Sequence, residues 1–268
     1  MDNKKVLFVS QEITPYLSES EISKICRYLP QGIQERGKEI RTFMPRYGVI
    51  NERRNQLHEV IRLSGMNLII DDTDHPLIIK VASIQAARMQ VYFIDNEDYF
   101  NRKHTIKDAK GVEFSDNDER TIFFSRGVIE TVRKLRWSPD IVHCHGWMSA
   151  LIPLYLRKVF YDDPIFADIK IIYSVYNNAF VNPFRDTFSE KLLADGIEAA
   201  DIEGMKKADF ANLTKLALDN ADGIIIGSNE VDKETIQYLE KLGKPVLEYQ
   251  GDEDYVDAYN QFYDNLLQ

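Results

Sequence analysis

The segment His143-Cys144-His145-Gly146-Trp147 carries the side chains best suited to chemistry. Strand alternation would place both histidines on one face and the cysteine on the other. A His-x-His pair could bind a metal, but tetrahedral zinc takes at least three protein ligands, and no nearby His, Cys or carboxylate cluster supplies a third. We therefore expect no metal site. A strand-end histidine beside a glycine could instead hydrogen-bond a sugar or stabilise charge, and packing beside the tryptophan is an equally good interpretation.

The loop at 10–21 follows the first predicted strand and contains no glycine. Phosphate-binding loops use glycines so that backbone N–H groups can approach the phosphate oxygens. Glu12, Glu19 and Glu21 stand there instead and would repel an anion. The loop therefore argues against phosphate binding and favours a simpler role as the cap of the next helix, at Ser18 or Ser20.

The pair Asn177-Asn178 follows another predicted strand. Its amides suit sugar hydroxyls, although asparagine pairs are also common in turns. The sequence contains no nucleophile elbow, metal-binding helix or pair of catalytic carboxylates elsewhere. Residue types alone therefore indicate an α/β domain with a polar cleft.

These segments follow short apolar runs that predict buried strands of a parallel sheet. A strand at 6–10, a helix with Gly37 at its end and a strand at 39–44 form a β-α-β opening. Pro30 is expected to interrupt that helix or to start a new turn. The later predicted elements are a helix capped at 115–118, strands at 140–144, 169–175 and 222–226, and helices at 147–159, 204–219 and 229–241. A last amphipathic helix is expected to open in the acidic tail 248–257 and to continue through Tyr259, Phe262, Tyr263 and Leu266.

A different pattern lies between these units. Four β-like runs follow one another with little helix between them, at 58–63, 66–71, 77–84 and 89–95. They predict an antiparallel hairpin insertion at about 57–90, with the last run returning to the main sheet. The chain, 1–268, is expected to form one α/β domain, a Rossmann-like doubly wound parallel sheet with this insertion. Ligands of such sheets bind at the carboxyl ends of the strands, where the segments above lie.

Composition excludes several classes of protein. The 268 residues are 44% hydrophobic and 28% charged, which is ordinary for a globular domain and argues against disorder. The net charge is −10 and no Lys/Arg cluster exceeds a pair, so we expect no nucleic-acid partner. Cys26 and Cys144 are too far apart for a C-x-x-C motif, which favours a reducing compartment. No run approaches the ~20 apolar residues of a membrane span, so we expect a soluble cytoplasmic protein without a membrane partner.

Several segments form a recognisable set in order and spacing: KVLFVSQEITPYL at 5–17, LP at 29–30, RG at 36–37, FMPRYG at 43–48, DNDERTIFFSRGVIE at 116–130, WSPDIVHCHGW at 137–147, ALIPLYL at 150–156 and YNNAF at 176–180. Together they resemble the bacterial glycogen and starch synthases of glycosyltransferase family 5. The resemblance covers about residues 4 to 240 and matches the amino-terminal, acceptor-side half of such enzymes.

The resemblance implies a single lobe of the two-lobed GT-B arrangement. Such synthases transfer glucose from ADP-glucose to the non-reducing end of an α-1,4-glucan, with retention of configuration and without a metal. His145 matches the catalytic histidine of the H-x-H-D-W motif, Glu12 the acidic residue after the first strand, and Asn177 the asparagine of the T-[VI]-H-N motif. Aromatic groups at the strand ends mildly favour sugar binding as well. The predicted substrate-binding residues are Glu12, Tyr16, Trp147, Tyr176 and Asn177.

The sequence also departs from the family pattern. The K-T-G-G-L donor loop is SESEI at 18–22, so a lysine and two glycines are lost and two carboxylates are gained. Beside a diphosphate this exchange should cost several kcal/mol of donor binding. The aspartate after that loop is Lys24, the H-D-W aspartate is Gly146, and the T-[VI]-H-N histidine is Tyr176.

Three hypotheses follow from these matches and departures. The first is a pseudoenzyme, inactive alone because it is expected to lack the nucleotide-binding lobe, and retained for binding α-glucan or maltooligosaccharide or for regulating glycogen metabolism. The second is an active glucosyltransferase lobe completed by a separate nucleotide-binding chain, with ADP-glucose as donor substrate. The third is a protein-interaction module that kept only the fold, with a partner protein on the face where a second lobe would lie. None of the three requires a cofactor.

Overall fold

The computed structural model describes residues 3–251 and 255–268. Its strands are β1 (Lys5–Ser10), β2 (Glu39–Pro45), β3 (His58–Glu59), β4 (Met66–Ile70), β5 (Thr73–Ile84), β6 (Met89–Asp95), β7 (Ile141–His145), β8 (Lys170–Val175), β9 (Gly223–Ile226) and β10 (Val246–Leu247). Its helices are α1 (Glu21–Glu35), α2 (Glu97–Phe100), α3 (Asn117–Leu135), α4 (Ile152–Lys158), α5 (Phe188–Ala194), α6 (Phe210–Asn220), α7 (Lys233–Leu242) and α8 (Tyr255–Leu266). Short 3-10 segments lie at Gln85–Ala87, Trp147–Ser149 and Ala199–Lys207.

The strands form a mixed sheet in the order β10-β9-β8-β7-β1-β2-β6-β5-β3, with β4 paired to β5. Pairing is parallel from β10 to β6 and antiparallel between β6 and β5 and between β5 and its neighbours β3 and β4. The expected α/β sheet with a β-hairpin insertion is confirmed. The chain runs outward from β1 to β2 and β6 and then returns to β7 on the other side of β1. The topological switch point, where such sheets bind ligands, therefore lies between β1 and β7.

Alternation along β1 directs its side chains into the cores on the two sheet faces. Leu7 and Val9 belong to the larger hydrophobic cluster, whereas Val6 and Phe8 pack in a second cluster with residues of α1 and α8. Strands covered on both faces need apolar residues at successive positions, which explains the continuous run in the sequence. Among the described residues, no helix combines the length and apolar character needed to cross a bilayer.

Several predicted boundaries differ from the observed ones. The expected interruption at Pro30 is wrong, because α1 continues through this buried residue to Glu35. The predicted helix 204–219 is instead a 3-10 segment followed by α6, because Asp209 caps the new helix by accepting the backbone N–H of Asn212 at 2.9 Å. Likewise α7 begins later than predicted, after its capping residue Asp232. The last helix forms from Tyr255; within its predicted acidic start, residues 252–254 lie outside the described residues.

Candidate functional site

The loops after β1 and β7 meet at the topological switch point. The Gln11 backbone N–H donates to the His145 carbonyl at 3.0 Å, and the Gln11 side-chain oxygen accepts the Met148 backbone N–H at 3.2 Å. Gly146 makes this close approach possible, since a Cβ there would lie 2.7 Å from Gln11 Oε1. Its φ of 83° and ψ of 157° are also a conformation that glycine adopts almost exclusively. The predicted catalytic segment is thus tied directly to the first loop.

His143 and His145 lie on one face of β7, as strand alternation predicted, with their ring centres 3.9 Å apart. Both side chains are completely buried. His143 is held at both nitrogens, by the Tyr263 hydroxyl at 2.6 Å from Nδ1 and the Ser174 hydroxyl at 2.7 Å from Nε2. His145 Nδ1 lies 2.7 Å from the Tyr176 hydroxyl, and its Nε2 has no hydrogen-bond partner among the described residues. The pair is therefore fixed by groups of the protein itself.

Burial determines the protonation state of this pair. Removal from water lowers the pKa of His145 to about 3 and lowers that of His143 well below its ordinary range, the latter with a further contribution from the neighbouring ring. Both imidazoles are therefore neutral near pH 7. In this conformation His145 has no exposed surface at which water or a substrate could contact it.

Tyr176 closes the pair on the β8 side. It follows β8, is 3% exposed, and packs so tightly against the next strand end that a Cβ on Gly227 would lie 2.5 Å from its ring. The predicted sugar contact at Tyr176 is therefore, in this conformation, an internal partner of His145. Access to the imidazole from this side requires Tyr176 to move.

Trp147 and Tyr16, two further predicted sugar contacts, are also in the interior. Trp147 is 1% exposed and packs edge-on against Phe180 and Phe184, at ring-centre distances of 5.1 and 5.9 Å. Tyr16 is 8% exposed and meets Phe93 edge-on at 4.9 Å. The sequence left open whether Trp147 packs in the interior or contacts a sugar, and in this structure it packs in the interior.

Glu12 and Asn177 are the predicted site residues that solvent can reach. The Glu12 carboxylate accepts the Ser20 hydroxyl at 2.6 Å, and Ser20 caps α1 by accepting the Ser23 backbone N–H at 3.0 Å. The Asn177 backbone N–H donates to the Ser228 hydroxyl oxygen at 2.9 Å, while that hydroxyl donates to the Glu21 carboxylate. The structure thus brings both residues to the amino-terminal end of α1.

Carboxylates of the protein surround that helix end. Glu12 and Glu21 make the contacts described above, and Glu19 is exposed in the loop that precedes the helix. The amino-terminal end of a helix carries a partial positive charge that favours anions, and here the side chains of the chain itself supply the negative charge.

Sequence reasoning missed two contributors to this region, Gln11 and Tyr263. The glutamine lies within the segment KVLFVSQEITPYL at 5–17, but the sequence indicates no role of its own for it. Tyr263 and Tyr259 did appear on the apolar face predicted for the last helix, and phenolic hydroxyls on a buried face are a signal that a polar partner lies opposite. Among the described residues, no group of three or more His, Cys, Asp or Glu side chains could hold a metal ion.

Removal of the Tyr263 hydroxyl tests the enclosure of the histidines. Tyr263→Phe is expected to lower the free energy of unfolding by about 1–3 kcal/mol, because it leaves His143 Nδ1 buried without its partner. Chemical denaturation measures the change. The matched control is Tyr238→Phe, which removes an exposed hydrogen bond to Asp219 and should cost less than about 0.5 kcal/mol. Equal costs for the two variants would contradict the enclosure.

Comparisons with known proteins give consistent matches. Residues 5–245 match the family model described as the starch synthase catalytic domain. A glycogen synthase of Chlorobium luteolum is 37% identical over 223 residues, covering 82% of this chain and 45% of that protein. A glycogen synthase of Chlorobium limicola is 38% identical over 201 residues, covering 74% of this chain and 41% of that protein. The chain therefore spans a little under half the length of these curated relatives.

A solved structure supports the fold. The catalytic domain of Starch Synthase IV from Arabidopsis thaliana, bound to ADP and acarbose, superposes with a TM-score of 0.74 at 15% identity. The match covers 93% of this chain and 52% of that one. At this identity the likeness concerns the fold alone. The family match ends at residue 245, so α8, which encloses His143, lies beyond it.

Proposed function

The chain belongs to the starch synthase catalytic domain family, and from this premise we propose that it is a glucan-binding member that does not itself transfer glucose. Its ligand would be an α-1,4-glucan or maltooligosaccharide. It would act in the cytoplasm, where it would regulate glycogen metabolism. It is a glycogen and starch synthase-like protein by sequence and fold.

The enclosure of His145 carries this proposal. A catalytic residue must touch the transferring glucose, and this imidazole has no exposed surface and is hydrogen-bonded to Tyr176. Where the family motif has a histidine, Tyr176 fills the space between His145 and Gly227. This burial and this hydrogen bond support a packing role for His145 rather than a catalytic one.

The amino-terminal end of α1 gives independent support. A nucleotide-sugar donor would bring its diphosphate toward Glu12, Glu19 and Glu21, at a helix end that already holds internal carboxylates. Repulsion between these carboxylates and the diphosphate opposes donor binding, whereas an uncharged glucan meets no such repulsion. The charges therefore favour glucan over ADP-glucose.

The transfer assay tests the absence of catalysis. We expect the purified chain, given radiolabelled ADP-glucose and glycogen, to incorporate no label above the level of a protein-free blank. His145→Ala should behave identically. Incorporation that His145→Ala abolishes would overturn this part of the proposal.

Glucan binding has a separate test. We expect the mobility of the chain in a native gel to fall when glycogen is included, while serum albumin in the same gel is unaffected. Identical mobility with and without glycogen would contradict glucan binding and favour the alternative of a protein-interaction module.

A further inference from the structure

A cavity of about 550 Å³ opens beside the first turns of α1, between the end of β9 and the segment that leads into α8. Its volume lies within the ~300–1,000 Å³ typical of small-molecule sites. Four tyrosines of the described chain line it: Tyr28, Tyr249, Tyr255 and Tyr259. The cavity is distinct from the enclosed histidine pair, because neither His143 nor His145 lines it.

Two of these tyrosines present their rings to solvent. Tyr28 is 50% exposed and Tyr249 is 37% exposed. The Arg27 guanidinium lies 4.9 Å from the centre of the Tyr28 ring and steadies it. Tyrosine rings left uncovered in a concave site offer flat apolar surface at little cost in conformational entropy, which suits stacking of a ligand.

The floor of the cavity is fixed. Tyr259 is 1% exposed and packs edge-on against Tyr255 with ring centres 6.0 Å apart. Gly227 lies beside it, directly against the Tyr176 ring. Tyr259 and Tyr176 therefore lie between the cavity and the buried histidines His143 and His145.

The charges of the lining suit an uncharged ligand. Glu21 and Lys24 contribute one charge of each sign, and Gln250 adds an amide. Among the described residues that line the cavity, positive charge does not exceed negative charge, while carboxylate, ammonium and amide together can donate and accept hydrogen bonds. Sugar rings combine an apolar C–H face with hydroxyl groups at the edge, which matches flat rings flanked by these polar groups.

We propose that this cavity binds a short stretch of α-1,4-glucan by stacking glucose units on Tyr28 and Tyr249, an inference that rests on the proposed glucan-binding function. Tyr249, Tyr255 and Tyr259 all lie beyond residue 245, where the family match ends. The site is thus built jointly by the family domain and by the segment that follows it.

Calorimetric titration with maltoheptaose tests the site. Tyr28→Ala and Tyr249→Ala are each expected to weaken binding about 3- to 10-fold, and the double variant more than 10-fold, because each substitution removes one stacking surface. The matched control is Tyr161→Ala, an exposed tyrosine, 68% accessible, that lies outside the cavity and should leave the affinity unchanged. Since all three rings are at the surface, circular dichroism should show the same fold in every variant.

The outcomes separate the site from the function. Unchanged maltoheptaose affinity in the double variant would overturn this site and leave the proposed function standing, whereas no binding by the unmodified chain would overturn both. Tighter binding of ADP than of maltoheptaose, lost in the same variants, would assign the cavity to a nucleotide and overturn the inference. The amide NMR signals of Gly227 and Gly251 should also shift during the maltoheptaose titration, and signals that stay fixed would place the glucan elsewhere.

Discussion

Acidification from pH 7.5 to pH 4.5 is expected to lower the free energy of unfolding by about 2–3 kcal/mol through His145, and His143 adds a change in the same direction. In the folded chain His145 remains neutral over this range, because burial lowers its pKa to about 3, and burial also lowers the pKa of His143 well below its ordinary value. In the unfolded chain each binds a proton near pH 6.5. The unfolded state therefore gains protons that the folded state cannot bind.

The sign of the effect follows from that difference. Stability rises with pH wherever the unfolded state binds more protons, by about 1.4 kcal/mol per pH unit for each such group. The contribution of the two histidines is fully present above about pH 6.5 and is lost as the pH falls toward their folded-state pKa values. Ion-paired carboxylates add their own acid sensitivity mostly below this window.

Urea unfolding at four pH values between 7.5 and 4.5 measures the effect. His145→Gln should reduce the pH dependence by about 2–3 kcal/mol over this range, because glutamine does not titrate. His58→Gln, a substitution of an exposed histidine, should leave the slope as it was. A stability that is flat across this range, or a slope unchanged by His145→Gln, would show that the buried pair is open to water.

The face on which the histidines lie could be predicted from the sequence, but their enclosure could not. Period-two alternation placed His143 and His145 together and Cys144 opposite, because every strand obeys it. The hydroxyl that holds His143 belongs to Tyr263, 120 residues later in the chain. No local pattern specifies which strand end a distant helix will cover, so burial, and with it the neutral state of the pair, emerges only from the packed fold.

For the helices and the site as well, the sequence predicts approximate positions, whereas the exact contacts depend on the packed fold. Apolar periodicity located α3, α6 and α7, whereas their exact starts depend on single capping residues such as Asp209 and Asp232. The roles assigned to Glu12 and Asn177 stay predictions. The Glu12 carboxylate and the Asn177 backbone lie near the amino-terminal end of α1, beside the carboxyl ends of the parallel strands where such sheets bind ligands.

Gly146→Asp is expected to lower the free energy of unfolding by about 3–5 kcal/mol, although the family resemblance places an aspartate at this position. The backbone at φ 83° and ψ 157° strains any residue with a Cβ, and that Cβ would lie 2.8 Å from Gln11 Cβ. The added carboxylate would also be placed beside buried groups without an arranged partner. Chemical denaturation of the purified variant measures the cost.

Two controls separate these causes. Gly146→Ala keeps the strain and the collision but adds no charge, so it should account for about 3 kcal/mol of the loss. Gly204→Asp introduces the same side chain at an exposed glycine, where a Cβ would meet no atom of the described residues within 4 Å, and should cost less than about 1 kcal/mol. A Gly146→Asp variant as stable as Gly204→Asp would mean that the loop can still adopt the conformation of the family motif. A large loss instead means that the backbone conformation of this loop and its packing against Gln11 are compatible only with glycine at position 146.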